Sequence, residues 1–556
     1  MKTYNKILAV LLSGAALVGC NDLDLAPNGS TITEDQKDEI LKIDPSKVLA
    51  SVSGMAGQLT AYGSLTGGSA SQYHWDIGFP ALFIKTDLRS MDMYSITGGY
   101  NWYRDAEQYT DGLASGSTYW FYEYNYNLIR AANEVLKTQL PNINLESPDD
   151  NTDMLKFYVA QAAAFRAYGY LYLVQTYQFT YDGHQNDPAV PLITEDNMDQ
   201  AATDGLPRAT VQEIYDQIIK DLTFAIEYLD GNPVTPDKVI ESKPKRFVGL
   251  GAAYGLRARA NLLMCKWAEA AADAQAALDE SGATPLSLDE ASVPGFNDIN
   301  AHNWLWGIAV SDNDRVVTSG ICNFPSHMGS FASGYATQVG AWKWISKTLY
   351  AELPAKDVRK GWWLNEYGES ANLSARQLSY VTGRISDDAR VPRVQVKFDT
   401  YNSVLGQTLN MSDIPLMRAE EMYLIKAEAL GMQNLEEGKE YLRNFVRNYR
   451  FERYTSTATT TEEFRDAVWF QRRVELWGEG FAYYDMLRLK KDMIRFGGGW
   501  PATVSYDIKA TDPLLIYPLP QEVITTNPFI TEADNTMGGG RPAVNQGDDS
   551  VWQEEE

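Results

Sequence analysis

Hydrophobic residues recur at helical spacing over most of the chain, so the sequence predicts a mostly α-helical protein. The clearest stripe covers residues 211–229, where apolar side chains fall three or four positions apart. Thr210 precedes this stretch and Glu213 follows Thr210 by three positions, which predicts a capping box at the helix N-terminus. Further helices are predicted at residues 120–140, 153–178, 247–264, 267–278, 417–432, 435–449, 461–477 and 481–495.

Neighbouring predicted helices follow one another as pairs, which is typical of a tetratricopeptide-like array of helical hairpins, although no fixed repeat period is visible. The helical spacing stops between residues 281 and 413, where Gly, Asn, Asp and Trp are frequent and short alternating pieces such as residues 394–398 occur. We therefore predict a helical-hairpin array with an inserted irregular, loop-rich lobe. The predicted divisions are a leader at 1–19, a helical half at 20–280 with an aromatic-rich loop at 62–118, the lobe at 281–413, a second helical part at 414–536 and a disordered tail at 537–556.

The N-terminus has the pattern of a lipoprotein leader. Lys2 and Lys6 precede an apolar run at residues 7–19, which is shorter than the roughly 20 residues that a membrane-spanning helix needs. This run fits the hydrophobic region of a signal peptide, and Leu17-Val18-Gly19-Cys20 resembles a bacterial lipobox. Cys20 is therefore predicted to carry lipid that anchors the protein to a membrane, while the rest of the protein lies in water. The alternative is an ordinary signal peptide followed by an incidental cysteine.

Composition and charge indicate a folded acidic protein and argue against nucleic acid as a partner. The formal net charge is −25, and such a surface repels the phosphate backbone of nucleic acids. Aromatic residues make up 12% and charged residues 22% of the chain, as in a folded globular protein. Beyond Cys20 only Cys265 and Cys322 remain, and the sequence leaves open whether they pair or stay free.

No motif for catalysis, a metal or a cofactor stands out, so none is predicted. The four histidines lack metal-binding spacing, and Asp312-Asn313-Asp314 is interpreted as a surface turn because the rest of a calcium loop is absent. Glu475 and Glu479 share one helix face, and paired carboxylates are typical of glycoside hydrolases. We interpret them instead as members of structural ion pairs, because arginines surround them in sequence at 472, 473 and 488.

The segment "QRRVELWGEGFAYYDMLRLKK" resembles the C-terminal signature of the SusD/RagB family of outer-membrane nutrient-binding lipoproteins. The matching positions are Arg472, Glu475, Leu476, Glu479, Gly480, Asp485 and Arg488, while Gln471 and Ala482 depart from the pattern. Other segments resemble family motifs in the same order along the chain: "CNDLDLAP", "YWFYEYNYNLIRAANEVL", "AQAAAFRAYGYLYLVQTY", "PRATVQEIYDQIIKDLTFAI", "MRAEEMYLIKAEAL" and "IYPLPQEVITTNP".

This resemblance implies four tetratricopeptide-like units topped by an irregular lobe, with lipid anchoring on the outer face of the outer membrane. It also implies a non-catalytic role, in which the protein captures oligosaccharides or polysaccharide and delivers them to a SusC-like TonB-dependent transporter. Peptide or another nutrient is the alternative cargo, and a surface glycoside hydrolase that uses Glu475 and Glu479 is the alternative activity. In the family, ligand contacts come from an aromatic-rich N-terminal loop and from the irregular lobe.

Both zones hold candidate ligand contacts here, because sugar rings stack on exposed aromatic rings beside polar side chains. The first zone contributes Tyr73, Trp75, Asp76, Arg89, Tyr100, Asn101 and Trp102. The second zone contributes Trp304, Trp306 and Trp342. The alternative for the second zone is that each Trp-x-Trp pair lines one buried face of a short strand, and the tryptophans at 120, 267, 469 and 477 are predicted to belong to the helical core.

Overall fold

Twenty-one α-helices and eight short strands form the part of the chain that the computed structural model describes, which comprises residues 48–61, 73–95, 100–148, 150–318, 321–385 and 390–535. The predictions for the leader, for Cys20 and for the tail at 537–556 lie outside these residues. The chain divides after Ala50, and one unit runs from Ser51 onward. None of the described helices is long and apolar enough to cross a membrane.

The helices lie mainly before residue 282 and after residue 418, as the sequence predicts. They are α1 Val48–Gln58, α2 Pro80–Arg89, α3 Arg104–Glu107, α4 Gly116–Gln139, α5 Asp150–Tyr177, α6 Met198–Asp204, α7 Val211–Leu229, α8 Pro236–Val239, α9 Leu250–Leu263, α10 Trp267–Ser281, α11 Leu288–Ala291, α12 Arg315–Thr318, α13 Phe324–Met328, α14 Tyr335–Gln338, α15 Lys347–Glu352, α16 Ala375–Thr382, α17 Ala419–Gln433, α18 Leu435–Tyr449, α19 Thr461–Glu475, α20 Ala482–Arg488 and α21 Gln521–Thr526.

Successive long helices pack on one another along the chain. Helix α5 packs between α4 and α7, α9 packs on α10, and α17 contacts α10, α18 and α19. The predicted mostly α-helical array of hairpins is therefore confirmed. Helix α7 begins where the capping box predicts, since the Thr210 side chain accepts from the backbone N–H of Glu213 and the Glu213 carboxylate accepts from the backbone N–H of Thr210.

Close helix contacts depend on glycine at one crossing. A Cβ built on Gly438 of α18 would lie 2.3 Å from the Cα of Gly431 in α17 and 2.8 Å from a ring carbon of Phe464 in α19. Three helices therefore meet at a point where no larger residue fits. Around this crossing, Leu442 and Val468 belong to one buried cluster.

The strands form four two-stranded antiparallel sheets, which pair in the order β1–β5, β2–β3, β4–β6 and β7–β8. Their bounds are β1 Met93–Tyr94, β2 Pro188–Pro191, β3 Arg208–Thr210, β4 Trp304–Ile308, β5 Trp344–Ile345, β6 Ile414–Arg418, β7 Met493–Ile494 and β8 Asp507–Ile508. Sheets β1–β5 and β4–β6 connect the lobe to segments before and after it. The predicted piece at 394–398 forms isolated bridges rather than a strand.

Two predicted helices end early for backbone reasons. Helix α19 stops at Glu475, ahead of Gly478, whose φ of 81° lies in the left-handed region that favours glycine. Helix α20 stops at Arg488, and Lys490 follows with a φ of 52°. The predicted aromatic-rich loop at 62–118 contains helix α2, all ten residues of which are buried.

Candidate functional site

Five aromatic rings from both predicted zones form a pair and a group of three at the surface, and one small cavity is lined by both groups. Tyr73 stacks on Trp75 with ring centroids 4.6 Å apart and planes 14° apart, and the centroid of Tyr100 lies 5.9 Å from that of Trp102. Tyr335, from the lobe, lies 6.0 Å from Trp102. The three tyrosines are 37–48% exposed, and the two tryptophans are half-buried. We call these five rings the aromatic platform.

Two buried histidines contact the platform. The His74 ring stacks on Trp102 with centroids 3.7 Å apart, and Nδ1 of His74 lies 3.0 Å from Nε2 of His327. His327 belongs to helix α13 of the lobe, so this contact joins the two halves of the platform. The hydroxyl of Tyr103 donates to the carbonyl oxygen of His74 at 2.8 Å and fixes the backbone there.

The histidine pair is held in the neutral form. Burial lowers the pKa of His74 to about 4. Burial also lowers the pKa of His327 well below its ordinary value, and the positive charge of Lys343 adds to this shift. One neutral imidazole can therefore donate to the other, which keeps the Trp102 support intact near neutral pH.

Two predicted contact residues support the platform from within the protein instead of facing solvent. Asp76 is buried, and its carboxylate accepts from the indole N–H of Trp120 at 2.6 Å. Asn101 is buried, donates to the Glu107 carboxylate at 2.5 Å and accepts from the backbone N–H of Tyr103. Both side chains fix the loops that carry the aromatic rings.

Arg89 requires a correction, because it has no surface to offer a ligand. Its guanidinium is fully buried between the rings of Tyr109 and Tyr517, each 4.1 Å from the guanidinium carbon. It donates to the Asp111 carboxylate at 3.0 Å and to the carbonyl oxygen of Leu514 at 2.7 Å. Arg89 therefore binds the C-terminal segment to helix α2.

The three predicted tryptophan contacts in the lobe are corrected for the same reason. Trp304 and Trp306 lie on strand β4, every residue of which is buried, and they are 1% and 0% exposed. Trp342 is 3% exposed, and the guanidinium carbon of Arg384 lies 5.4 Å from its ring centroid. The alternative of buried Trp-x-Trp pairs thus holds for strand β4, and the lobe contributes Tyr335 to the platform instead.

Sequence reasoning missed Tyr335, His74 and His327. Tyr335 follows Gly334 in the glycine-punctuated segment "GSFASGYATQ", a signal of the same kind as the one that marked the first zone. The two histidines carry no such signal, because they lie 253 positions apart and neither has a partner at short spacing.

Glu475 and Glu479 are fully engaged in ion pairs, but with partners other than the arginines that the sequence suggests. Glu475 accepts from Arg450 at 2.7 Å and pairs with Arg359 at 3.3 Å. Glu479 pairs with Lys397 at 2.7 Å, and Arg418 contacts both carboxylates. All these side chains are at most 4% exposed.

The three arginines that surround this pair in sequence have other partners. Arg472 pairs with Asp485 at 2.7 Å, Arg473 pairs with Asp92 at 2.5 Å, and Arg488 pairs with Glu428 at 2.6 Å. Burial alone would raise the pKa of Glu475 and Glu479, but the charges of Arg450, Arg418 and Arg359 lower the pKa of Glu475, and those of Arg418 and Lys397 lower the pKa of Glu479. A general acid of a glycoside hydrolase needs a raised pKa and access to the substrate, and these carboxylates have neither.

No group of three metal-ligating side chains comes together among the residues that the structure describes. Asp312 and Asn313 form an exposed turn, as predicted. Cys265 and Cys322 are both free thiols.

Comparison with protein families agrees with this arrangement of helices and lobe. Residues 78–262 match the SusD-like family described as "Starch-binding associating with outer membrane", and residues 346–536 match the SusD family. Together the two matches cover about two thirds of the chain and include most of the helices that the sequence pattern predicted. The chain belongs to the SusD family. The ion pairs of Glu475 and Glu479 lie within the second match, in the segment that resembles the family signature.

Individual SusD-family relatives are similar over nearly their whole length. SusD-like protein P2 of Formosa agariphila is 24% identical, and the similarity covers 95% of this chain and 98% of the relative. A SusD-like carbohydrate binding protein from Bacteroides vulgatus superposes with a TM-score of 0.68 at 19% identity, covering 88% of this chain and 97% of that one. A SusD superfamily protein from Bacteroides thetaiotaomicron gives a TM-score of 0.67 at 21% identity, covering 87% and 98%.

Proposed function

We propose that this SusD-family protein binds oligosaccharides or polysaccharide at the cell surface through the aromatic platform. It delivers them, without chemical change, to a SusC-like TonB-dependent transporter in the outer membrane. The observation that carries the proposal is the aromatic platform itself, in which the stacked pair of Tyr73 and Trp75 lies across a small cavity from Trp102 with its neighbours Tyr100 and Tyr335.

The chemistry of the platform suits sugars. Aromatic faces stack on the flat C–H faces of sugar rings, and indole and phenol edges provide polar atoms for hydroxyl groups. The platform is fixed in advance by buried hydrogen bonds, such as that between Trp120 and Asp76, so less conformational entropy is lost on binding. In addition, one structural neighbour from Bacteroides vulgatus is a SusD-like carbohydrate binding protein and another is a putative sugar binding protein.

The proposed location and partner follow from the family. The matched family description names association with the outer membrane, and a lipid on Cys20 would provide the tether there. Tethering beside a transporter raises the effective concentration of captured ligand at its entrance. The proposal includes the division into a helical half at 20–280, a lobe at 281–413 and a second helical part at 414–536, because the platform combines rings from the first two.

The absence of catalysis is part of the proposal and rests on the ion pairs of Glu475 and Glu479. Both carboxylates are buried, ionised and hydrogen-bonded to cationic side chains, so neither is free to protonate a glycosidic oxygen. Release of reducing ends from a polysaccharide by the purified protein, lost in Glu475→Gln, would contradict this part.

Isothermal titration of the purified protein against a panel of plant, host and microbial oligosaccharides tests the binding proposal. We expect one glycan class to bind, and Trp102→Ala to weaken that binding at least about tenfold, which corresponds to about 1.4 kcal/mol. The matched control is Tyr367→Ala, because Tyr367 is 88% exposed and belongs to a different loop. This control should bind as the wild type does.

Two outcomes would overturn parts of the proposal. Failure of the folded protein to bind any glycan would exclude the oligosaccharide cargo, and binding to a peptide panel would then establish the alternative cargo. Consistent absence of a transporter barrel from affinity purifications of the membrane-bound protein would contradict the proposed partner.

A further inference from the structure

A second pocket lies where the lobe meets helix α19, and the residues that line it are distinct from those of the aromatic platform. Its volume is about 460 Å³, within the range of roughly 300–1,000 Å³ that small-molecule sites usually occupy. The lobe contributes Glu352, Pro354 and Asp357 to its wall, and the loop between α18 and α19 contributes residues 454–459. Helix α19 contributes Gln471, and we call this cavity the Gln471 pocket.

Gln471 presents an unpaired hydrogen-bond donor to this pocket. Its side chain is 2% exposed, and its oxygen Oε1 accepts from the Arg359 guanidinium at 2.6 Å. Because a guanidinium only donates, this bond also establishes which end of the amide is Nε2. Nε2 has no acceptor among the residues that the structure describes, and it belongs to the small accessible part of the side chain. An amide N–H without a partner costs free energy, so it favours a ligand that carries an acceptor.

Half-buried aromatic side chains form the apolar part of the wall. Phe451 and Tyr454 come from the loop, and Phe470 comes from helix α19. Phe451 and Tyr454 pack against the buried cluster at the crossing of α17, α18 and α19. The carbonyl oxygen of Tyr454 also accepts from Nε of Arg447 at 2.7 Å, which fixes the loop. These rings are therefore held in place before a ligand binds, and aromatic faces suit the C–H faces of sugar rings.

The charged side chains of the wall are all acidic. Glu352, Asp357 and Glu463 line the pocket, and no Lys, Arg or His is among the described residues that line it. Asp357 already pairs with Arg359 at 2.7 Å, whereas Glu352 and Glu463 are exposed and repel an anionic ligand. Glu463 accepts from the Thr459 hydroxyl at 2.7 Å, and a carboxylate has capacity for further hydrogen bonds, so it can also accept from a ligand.

These features together select the functional groups of the ligand. The N–H of Gln471 needs an acceptor, and the carboxylate of Glu463 needs a donor. An ammonium group only donates, and an ionised carboxylate or sulfate only accepts and is repelled by the acidic wall. A hydroxyl group donates and accepts without carrying charge. A ring that combines several hydroxyl groups with an apolar C–H face is a neutral sugar.

We propose that the Gln471 pocket is a second saccharide site, separate from the platform, which binds a neutral sugar unit. The inference rests on the proposed function for its class of ligand, whereas the site itself is independent of the platform. The sugar ring contacts the aromatic wall, one hydroxyl accepts from Nε2 of Gln471, and another donates to Glu463. Once a polysaccharide occupies one site, its binding to the other becomes intramolecular, so the chain is retained more tightly than by either site alone.

Calorimetric titration of the full-length protein with trisaccharides tests the inference. The neutral members of the panel are trisaccharides of glucose, xylose, mannose and galactose, and trigalacturonate is the acidic member. We expect two molecules of at least one neutral trisaccharide to bind per protein chain. Trigalacturonate should not bind in the Gln471 pocket, because the acidic wall repels it.

Variants assign each bound molecule to its site. Gln471→Glu keeps an acceptor for Arg359 but replaces the amide donor by a negative charge, so binding at this site should weaken at least about tenfold. Ala467→Trp places a bulky ring in the pocket, should have the same effect, and decides the question if Gln471→Glu fails to fold. Trp102→Ala should remove the other molecule only. The matched control Gln200→Glu adds the same charge at an exposed position of helix α6 and should still bind two molecules.

A single bound molecule that is lost in Trp102→Ala and kept in Gln471→Glu would overturn this inference and leave the proposed function intact. A single molecule that is lost only in Gln471→Glu would support the second site and contradict the platform. Failure to bind any trisaccharide would overturn both. Two molecules bound unchanged by folded Gln471→Glu and Ala467→Trp would exclude the pocket, and trigalacturonate bound there as tightly as a neutral sugar would overturn the class of ligand.

Discussion

Nδ1 of His74 lies 3.0 Å from Nε2 of His327, although 253 positions separate the two residues in the chain. This contact fixes the ring that stacks on Trp102 and links it to the lobe that carries Tyr335. One imidazole has to donate and the other accept, so a second proton on both rings would place two donors face to face. The contact between the two rings therefore requires that at least one of the two histidines stays neutral.

The first prediction concerns pH. Burial lowers the pKa of His74 to about 4 and lowers that of His327 well below the ordinary value of about 6.5. As the pH falls from about 6.5 towards 4, the unfolded chain takes up protons on these histidines and the native chain does not. The free energy of unfolding contributed by the pair is therefore fully present above about pH 6.5 and is lost as the pH falls through this range.

Urea unfolding of the wild type and of the double variant His74→Phe/His327→Phe between pH 7.5 and 4.5 measures this contribution. The buried carboxyls of Asp87 and Glu107, whose pKa burial raises to about 7, act in the opposite direction and cancel in the difference between the two proteins. The wild type should lose more stability than the variant on acidification. A control, His302→Phe at an exposed histidine, should follow the wild type, and identical pH profiles of all three proteins would refute the prediction.

The second prediction concerns Tyr335, which is 37% exposed and comes from the lobe. Tyr335→Ala removes one ring of the platform, so affinity for the bound glycan should fall by about tenfold, or about 1.4 kcal/mol. Thermal unfolding should change little, because an exposed ring contributes little to the core. Tyr335→Phe keeps the stacking face and should retain most of the affinity. Unchanged titration curves for Tyr335→Ala would remove the lobe from the site.

The third prediction concerns the buried charges around Glu475. Glu475→Gln leaves Arg359, Arg418 and Arg450 without their shared counter-charge, so the free energy of unfolding should fall by about 3–5 kcal/mol. Chemical denaturation measures this loss. Glu440→Gln breaks an ion pair on the exposed surface of helix α18 and serves as the control, with little change expected. Equal stability of the two variants would show that the network contributes nothing.

The fourth prediction compares two glycine-to-alanine changes in helices. Gly438→Ala places a methyl group 2.3 Å from the Cα of Gly431, so the helices must separate, at a cost of about 1–3 kcal/mol. Gly54→Ala, in helix α1, meets nothing within 4 Å and should stabilise the protein by about 0.5–1 kcal/mol. Chemical denaturation measures both changes in the free energy of unfolding, provided that the denaturant dependence matches that of the wild type. An unchanged stability of Gly438→Ala would contradict the close approach of the two helices.

Local patterns were sufficient to predict most long helices. The stripe at 211–229 and the capping box of Thr210 and Glu213 predict helix α7 at its observed bounds, because both signals act within a few residues. Residues 481–495 follow the same spacing, yet helix α20 ends at Arg488 because Lys490 adopts a left-handed backbone. The backbone N–H of Lys491 donates to the carbonyl oxygen of Met486 at 3.0 Å and closes this helix end, and no neighbouring glycine or proline signals it.

The candidate site was predicted in part. Aromatic residues in a glycine-punctuated segment, such as Tyr100 and Trp102, can be recognised from local composition. Arginine and tryptophan are typical of sugar-binding sites, so the sequence alone cannot separate Arg89 and Trp306 from true contacts. Only their burial in the structure excludes them. The charge partners of Glu475 could not be predicted from sequence spacing either. Arg359 lies more than a hundred positions earlier in the chain, whereas the nearby Arg473 pairs with Asp92.

The charges around Glu475 and Glu479 have a mechanical consequence. Lys397 comes from the lobe, Arg418 from strand β6, Arg450 from the end of α18, and the two carboxylates from the end of α19 and just beyond it. Moving the lobe relative to the helices would separate these ion pairs and leave buried charges without partners. Because that costs much free energy, the network opposes such motion. If the protein moves relative to its proposed transporter, the lobe and the helices are expected to move as one rigid body. Any hinge then has to lie outside this network of buried charges.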